Sequence, residues 1–498
     1  MRVRSLLLLL LPLAACEVGP DYAGPPRTAA EAEPGFVRAT EPLTVAALPT
    51  RADWWRALGD PELDRIEAAA LAGAPDLDVA RARLREARAE RAGARADLLP
   101  TTGASALYLH SHGGGGLFGA DTVATAGQPV TGNLLGNDFD LYDVGFDASW
   151  EADLFGGRRR ALEAATARAA VREAELADTQ LSLTADVARA YVALRDAQHR
   201  LRITESSAAL QGRMLDLTRR RAAGGTASAL DVSRLDTQLQ DTLSEAPPLR
   251  AAIGEQLDRL AVLTGQLPGA VDAALADPPN NDPVPLPPAT VAIGDPAALL
   301  RRRPDIRAAE RQVAAANAAI GQRIADYFPK LSVIGNIGFG SADAGSLLSG
   351  SNLLAVVAPS LQWKPFDFGR TRAGVDQARA GLAEAQANYR GTVLRAMDDA
   401  ETALARYSNE RDHVRVLERE RTSAEHAAAL QRERFAGGTA SLIDTLDTER
   451  ERLASEQRLA QAESTLTADF VSLQKSLGLG WTPPAVPAPP TGLAVSRS

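Results

Sequence analysis

Few side chains in this 498-residue sequence are of a type and spacing that could do chemistry. Cys16 is the only cysteine, so no intrachain disulfide can form and its thiol is left for modification. The five histidines, His110, His112, His199, His413 and His426, are dispersed. His110 and His112 alone stand at i and i+2, on one face of a strand, where two imidazoles could begin a metal site. No third ligand is evident beside them, so the plainer reading is an ordinary strand next to a loop. No phosphate loop ending in Gly-Lys-Ser/Thr occurs. Catalysis therefore has little support, and neither a metal nor a cofactor is expected. Asp444 and Asp447 remain, two carboxylates at i and i+3 on one helix face. Exposed acids near a helix start usually do no more than complement its dipole, whereas rings of acids around a pore select cations. The elements that carry them decide between the two.

Apolar residues make up 45% of the chain but aromatics only 5%, which suits long packed helices better than a thick globular core. The formal net charge is -9, and the basic residues are scattered among acids, which excludes nucleic acid as an expected partner. The chain begins MRVRSLLLLLLPLAAC, in which Arg2 and Arg4 precede an apolar core, Leu6 to Leu11, too short to span a membrane. Residues 1–15 read as an export signal. Leu13-Ala14-Ala15-Cys16 resembles a bacterial lipobox, in which the thiol is lipidated and becomes the mature N-terminus. Glu17 in the next position leaves the outer membrane open as the destination. No later stretch is long and apolar enough for a spanning helix.

A chain of this length needs several domains unless it is elongated or repeated. Ala223-Gly224-Gly225-Thr226-Ala227-Ser228 recurs as Ala436-Gly437-Gly438-Thr439-Ala440-Ser441, and 436 minus 223 gives an offset of 213. The same offset pairs Trp150 with Trp363, Phe155-Gly156 with Phe368-Gly369, Arg159 with Arg372 and Asp231 with Asp444. Upstream the offset becomes 229, pairing Pro75-Asp76 with Pro304-Asp305, Asp97 with Asp326 and Pro100 with Pro329. The Gly-rich run around HSHGGGGLFGADTVATAGQ accounts for the difference and reads as a long loop.

Each half reads helix, strand, loop, strand, long helix, glycine tip and return helix. Arg158 to Ala223 contain no proline and would extend about 100 Å as a helix, too long for a compact domain. The two glycine tips turn a helix back on itself, and glycine tolerates the left-handed backbone this requires. Pro247-Pro248 should interrupt the return helix of the first half, while the second runs unbroken to about Leu477.

Tyr142, Val144, Phe146, Ala148 and Trp150 alternate with Asp143, Gly145, Asp147 and Ser149. Leu331, Val333, Ile337 and Phe339 alternate with Ser332, Asn336 and Gly338; Val357, Leu361 and Trp363 alternate with Ala358, Ser360 and Gln362. Leu107 and Leu109 mark a weak fourth strand. Alternation fits a half-buried soluble sheet, but the small and polar second face, with Trp150 and Trp363 closing both second strands, fits a membrane barrel with an interfacial aromatic girdle. Four strands cannot close one, so several chains would have to share it.

Cys16-Glu17-Val18-Gly19-Pro20-Asp21-Tyr22 followed by Pro25 resembles the mature start of outer-membrane efflux lipoproteins. RRRPDIRAAERQVAAANAAIGQRIADYFPKLSV, Arg301 to Val333, is similar to the most recognisable segment of the same family. The resemblance, to the TolC/OprM outer membrane factors in their NodT-like lipoprotein branch, covers nearly the whole mature chain. It implies a mainly α fold with a membrane β-barrel portion: a trimeric channel-tunnel, four strands per chain in a shared twelve-stranded barrel, continued by a long coiled-coil helical barrel. The segments expected are the signal 1–15, a lipidated extended stretch 16–55, repeats at 56–280 and 281–480, and a disordered proline-rich tail 481–498.

The resemblance also implies roles. Cys16 carries the lipid anchor, Trp150 and Trp363 lie at the membrane interface, and Gly224, Gly225, Gly437 and Gly438 form tips that dock a periplasmic adaptor. Asp444 and Asp447 match the family's constriction aspartates, and Asp231 matches an acid in the links that hold the tunnel closed; the basic runs Arg219 to Arg221 and Arg432/Arg434 lie nearby. The triplets Arg158 to Arg160 and Arg301 to Arg303 read as solvated or interfacial positions. The expected function is a passive exit duct, a homotrimer in outer-membrane lipid working with the adaptor and an inner-membrane RND-type pump. The alternatives are the exit channel of a type I protein secretion system and a lipid-anchored periplasmic coiled-coil scaffold.

Overall fold

A computed structural model describes residues 17–28, 35–39, 53–112, 124–125, 128–129, 139–276, 284–294 and 296–481. Residues 1–15, expected to be an export signal, together with Cys16, most of the long loop after the first strand and the residues beyond Trp481, lie outside the described residues.

The two halves build the same elements at the expected offsets. After α1 (Pro61–Gly73), whose Asp60 cap accepts from the Glu62 and Leu63 amides at 2.9 and 3.2 Å, the first half contains α2 (Pro75–Ala96), β1 (Thr101–Ser111), β2 (Phe139–Ala152), α3 (Gly157–Ala223), α4 (Ala229–Ser244) and α5 (Ala246–Leu263). The second half contains α6 (Pro304–Ala325), β3 (Lys330–Ser341), β4 (Leu353–Gln362), α7 (Arg370–Ala436) and α8 (Leu442–Ser476). Helices α2 and α6 are each 22 residues long, and α3 and α7 each 67. The return helix is cut once: α4 ends at Ser244 and α5 restarts with proline in its first turn, where a missing amide proton does no harm, whereas α8 runs 35 residues without a break.

The chain forms two compact units, and each draws on both halves. One comprises residues 1–25, 86–169 and 311–386; the other 26–85, 170–310 and 387–498. The second unit is helical, and its buried positions include many alanines, among them Ala185, Ala188, Ala396 and Ala400, together with Leu194, Leu260, Leu404, Tyr191 and Phe470. Small side chains let helix axes approach closely, which is how so aromatic-poor a chain fills its interior.

The first unit holds a four-stranded antiparallel meander, β1-β2-β3-β4. Its registers put Ala104, Ala106 and Tyr108 beside Phe146, Val144 and Tyr142, then Ile337 and Phe339, then Ala355 and Leu353, all on one face. Leu107 and Leu109 lie opposite Asp143 and Leu141, on the other face. They marked β1 in the sequence, but the apolar face of β1 is formed by Ala104, Ala106 and Tyr108, whose contrast with their neighbours is too slight to register as alternation. On the second face, Gly145 stands against Gly338, and a Cβ on Gly338 would come within 2.8 Å of the Gly145 Cα. That rung admits no side chain.

Candidate functional site

Three features stand out: a two-faced sheet, a clamped N-terminal strap and the paired helix tips. On the sheet, the apolar face is uncovered along its length. Phe146 is 68% exposed, Val357 76% and Leu361 67%, and Ile337 and Leu353 are also exposed. The other face is mixed: it carries Asp143, Asp147, Ser149, Ser332, Asn336, Ser360 and Gln362, interspersed with glycines and with Leu107, Leu109, Leu141, Ile334, Leu354 and Val356. The outer edges of β1 and β4 have no strand partner among the described residues. Trp150 lies on the apolar face, and its indole donates to the Leu98 carbonyl at 3.0 Å; Trp363, one residue past β4, donates to the Tyr327 carbonyl at 3.1 Å. Leu98 and Tyr327 are themselves 229 apart, so the repeat reproduces the tryptophan hydrogen bond as well as the tryptophan. His110, near the end of β1, is 2.8 Å from the Asp140 carboxylate, which also accepts from the Tyr108 hydroxyl at 2.9 Å.

The strap is Glu17 to Tyr22. The Arg160 guanidinium, 4% exposed, donates to the Val18 carbonyl at 3.2 Å and to Asp21 at 2.6 Å, and pairs with Glu17 at 3.3 Å and Glu163 at 2.7 Å. Burial works against its charge, but Asp21, Glu163 and Glu17 outweigh that and hold it above the ordinary arginine range. The Val18 amide donates to the Phe155 carbonyl, and Asn317 donates to the Pro20 carbonyl at 2.8 Å. Gly19 meets Gly321 so closely that a Cβ on Gly19 would lie 2.4 Å from the Gly321 Cα. Tyr22 packs on Ala167, Ala314 and Ala315, beneath the Arg311 guanidinium. Five residues of α6, Arg311, Ala314, Ala315, Asn317 and Gly321, thus receive the strap.

Two of the arginines expected at solvated or interfacial positions are enclosed by acids instead, Arg160 buried and Arg303 partly so. Besides Arg160, Arg303 is held by Asp305 at 2.7 Å, Asp399 at 3.1 Å and the Ser476 carbonyl at 3.1 Å. Trp481, assigned to the tail, packs under Arg307 and donates to the Arg302 carbonyl at 3.1 Å. A run of three arginines looks like a solvated surface until neighbouring elements bring carboxylates to one of them.

At the tips the second glycine, the threonine and the serine of the repeated hexapeptide each have a task. Gly225 and Gly438 take φ of 77° and 75°, and the Thr226 and Thr439 amides return to the Arg221 and Arg434 carbonyls at 2.8 and 2.9 Å, closing the ends of α3 and α7. Ser228 and Ser441 then cap α4 and α8, accepting from the Asp231 and Asp444 amides at 3.1 Å each. At the first tip the Asp231 carboxylate accepts in return from the Ser228 amide at 3.0 Å, forming a reciprocal box, and the bonds from Ser228 hold its carboxyl below the usual range. Asp444 and Asp447 are exposed, on the side of α8 away from buried Thr445, Leu446 and Glu449. Asp447 lies 3.4 Å from Arg450 of its own helix.

The basic runs do reach across the hairpins, but to acids that sequence reading did not single out. Arg219 meets Asp236 at 3.5 Å and Arg432 meets Glu449 at 3.3 Å. Both members of the second pair are 213 residues beyond those of the first, and that offset was the signal that could have found them. The first pair is half-exposed, whereas Glu449 is buried and also takes Arg452 at 2.9 Å; Arg452 bonds Glu456 and reaches Ser207 on α3. Arg221 sits over the Phe435 ring at 5.3 Å, and Leu215, Leu235 and Leu446 form an apolar cluster that joins α3, α4 and α8.

No described helix is long and apolar enough to cross a membrane. The family model for outer membrane efflux proteins matches residues 68–266 and 296–479, one segment in each half. The chain is 31% identical to a pyoverdine export outer membrane protein, OpmQ, of Pseudomonas aeruginosa, over 86% of this chain and 87% of that one. It is 30% identical to nodulation protein T of Rhizobium leguminosarum bv. trifolii, over 95% and 96%. The solved outer-membrane channel OprN superposes with a TM-score of 0.80 at 34% identity, covering 94% of this chain and all of that one. With a repeated helix-and-strand plan, a sheet apolar on one face, and family matches across both halves, the chain belongs to the outer membrane efflux protein family.

Proposed function

We propose that this protein is the outer-membrane exit duct of a tripartite efflux pump, a homotrimer that passes small molecules without chemistry of its own. The sheet carries the reading. Lipid against its exposed apolar face and water against its more polar face suit both, and copies joined edge to edge complete the backbone hydrogen bonding of β1 and β4. Trp150 and Trp363 then sit at a membrane interface. The strap supports a lipid anchor on Cys16, because Glu17, the next residue, is held against Gly156 near the end of β2.

The tips at Gly224-Gly225 and Gly437-Gly438 are the docking ends for a periplasmic adaptor, which links the duct to an inner-membrane RND-type pump. Export of a small organic molecule by the pyoverdine relative favours small molecules as cargo. Asp444 and Asp447, exposed on one face of α8, would form two rings of three carboxylates around the axis, to which Asp231 adds charge while capping α4. The test is single-channel recording in planar bilayers with Asp444→Asn plus Asp447→Asn. Cation selectivity is expected to fall and conductance to change; a protein that forms no channels would defeat the duct, and unaltered selectivity and conductance would defeat the gate.

A further inference from the structure

We infer that neighbouring copies join through β4 of one and β1 of the next in a single register, with Leu361 opposite the partner's Ala106 and Pro359 opposite the partner's Tyr108. This rests on the proposed assembly of copies and adds its register. The internal repeat carries it. Moving β1 by 229 and β2 by 213 converts their pairing into that of β3 with β4: Thr101↔Ser149 becomes Lys330↔Gln362, and Leu107↔Asp143 becomes Asn336↔Val356, both of which the sheet contains. The repeat therefore governs backbone register as well as sequence.

The remaining pairing, β2 with β3, joins the second strand of one half to the first strand of the other. Carried forward by one half, β2 becomes β4 and β3 becomes β1 of the following copy. Phe146↔Ile337 then gives Pro359 with the partner's Tyr108, Ala148↔Gly335 gives Leu361 with the partner's Ala106, and Asp147↔Asn336 gives Ser360 with the partner's Leu107. This register keeps the apolar faces of β4 and β1 continuous, whereas a slip of one residue would turn one of them over.

A second observation lies outside the strands. Phe155 and Phe328 stack at the seam between the halves, centroids 4.4 Å apart. Their images are Phe368 and the partner's Leu99, residues that this chain leaves 94% and 63% exposed. Phe368 also holds φ at 56°, the only positive φ of a non-glycine among the described residues, a strain that persists where packing over-determines the backbone. One rung must differ, since Gly145 and Gly338 map onto Ala358 and the partner's Leu109, so the backbones stand further apart there.

Cysteine pairs introduced into the full-length protein and oxidised mildly in outer membranes test the register. Within one chain β1 and β4 are three strand spacings apart, about 14 Å, beyond the roughly 7 Å Cα limit of a disulfide, so any bond formed joins two copies. Ala106→Cys with Leu361→Cys and Leu107→Cys with Ser360→Cys occupy adjacent rungs, one of which has the closer, non-hydrogen-bonded spacing. Ala104→Cys with Leu361→Cys and Tyr108→Cys with Leu361→Cys are slipped by two residues, and single-cysteine variants set the background. At least one in-register pair should yield covalent multimers on non-reducing gels at roughly ten times the slipped yield. A slipped pair that crosslinks best overturns the register and leaves the assembly standing. Absence of crosslinks from every pair, in protein that is folded in the outer membrane, overturns both.

Discussion

Arg160 shows how one side chain can organise an extended stretch, Glu17 to Tyr22. Five oxygen-bearing partners converge on a guanidinium with almost no solvent contact, and the fork geometry of arginine suits that task better than a lysine ammonium. Its repeat counterpart, 213 residues on, is Ala373, so the second half offers no such clamp. Replacing Arg160 with alanine should release the strap. Loss of even one charge-assisted hydrogen bond, about 1.5 kcal/mol, raises the exposed population roughly tenfold. Limited proteolysis followed by N-terminal sequencing should show faster cleavage ahead of Tyr22, with Arg160→Lys intermediate. A strap as resistant in Arg160→Ala as in the parent would refute the clamp.

Among the elements, the two long hairpins share a plan but differ in how they are tied. The glycine tips turn alike and Ser228 and Ser441 cap α4 and α8 alike, because six consecutive residues specify them, although only Asp231 returns a bond to its cap. The cross-hairpin pairs occupy equivalent positions in unlike surroundings. Water screens Arg219 and Asp236, whereas Glu449 is enclosed and shared by two arginines. Double-mutant cycles on unfolding should give about 0–0.5 kcal/mol of coupling for the exposed pair and about 1–3 kcal/mol for Arg432 with Glu449. Equal couplings would show that the burial of Glu449 has no energetic consequence. The first return helix also breaks at Glu245 while α8 does not, so the halves differ along their hairpins as well as at the tips.

For the molecule as a whole, acids partly or wholly withdrawn from water in the helical unit set a dependence on pH. Burial pushes Glu463 up to about 7, with Arg421 opposing and Glu418 adding to the shift. Between about pH 4.5 and 7 the folded chain keeps a proton that the unfolded chain has released, so stability falls as pH rises through that window. Asp196, raised to about 6 mainly by burial, acts in the same direction. Glu463→Gln should match the parent in thermal unfolding at pH 5 and exceed it at pH 8; parallel profiles across that range would show that Glu463 does not titrate in this way.

Much of the architecture was legible before any coordinates. Offsets of 213 and 229, the glycine tips, the break at Pro247-Pro248 and the faces of β2, β3 and β4 follow from signals that act within a few residues: a left-handed glycine, a missing amide proton, a period of two. β1 was harder to read, because alanine contrasts too little with its neighbours to mark a face. The partners of charged side chains were far less legible, the one available signal being that both members of a cross-hairpin pair recur 213 residues on. Arg160 and Arg303 looked like surface charges, and Asp236 and Glu449 like two acids among many. Which carboxylate a guanidinium reaches depends on which helix lies alongside it, and that neighbour stands tens or hundreds of residues away in the chain. Sequence alone determined the repeat, the elements and their turns, because these are local. The tertiary structure alone decided which charges are buried, what holds the strap, and which apolar face lies uncovered, because these depend on surfaces that exist only once distant elements pack.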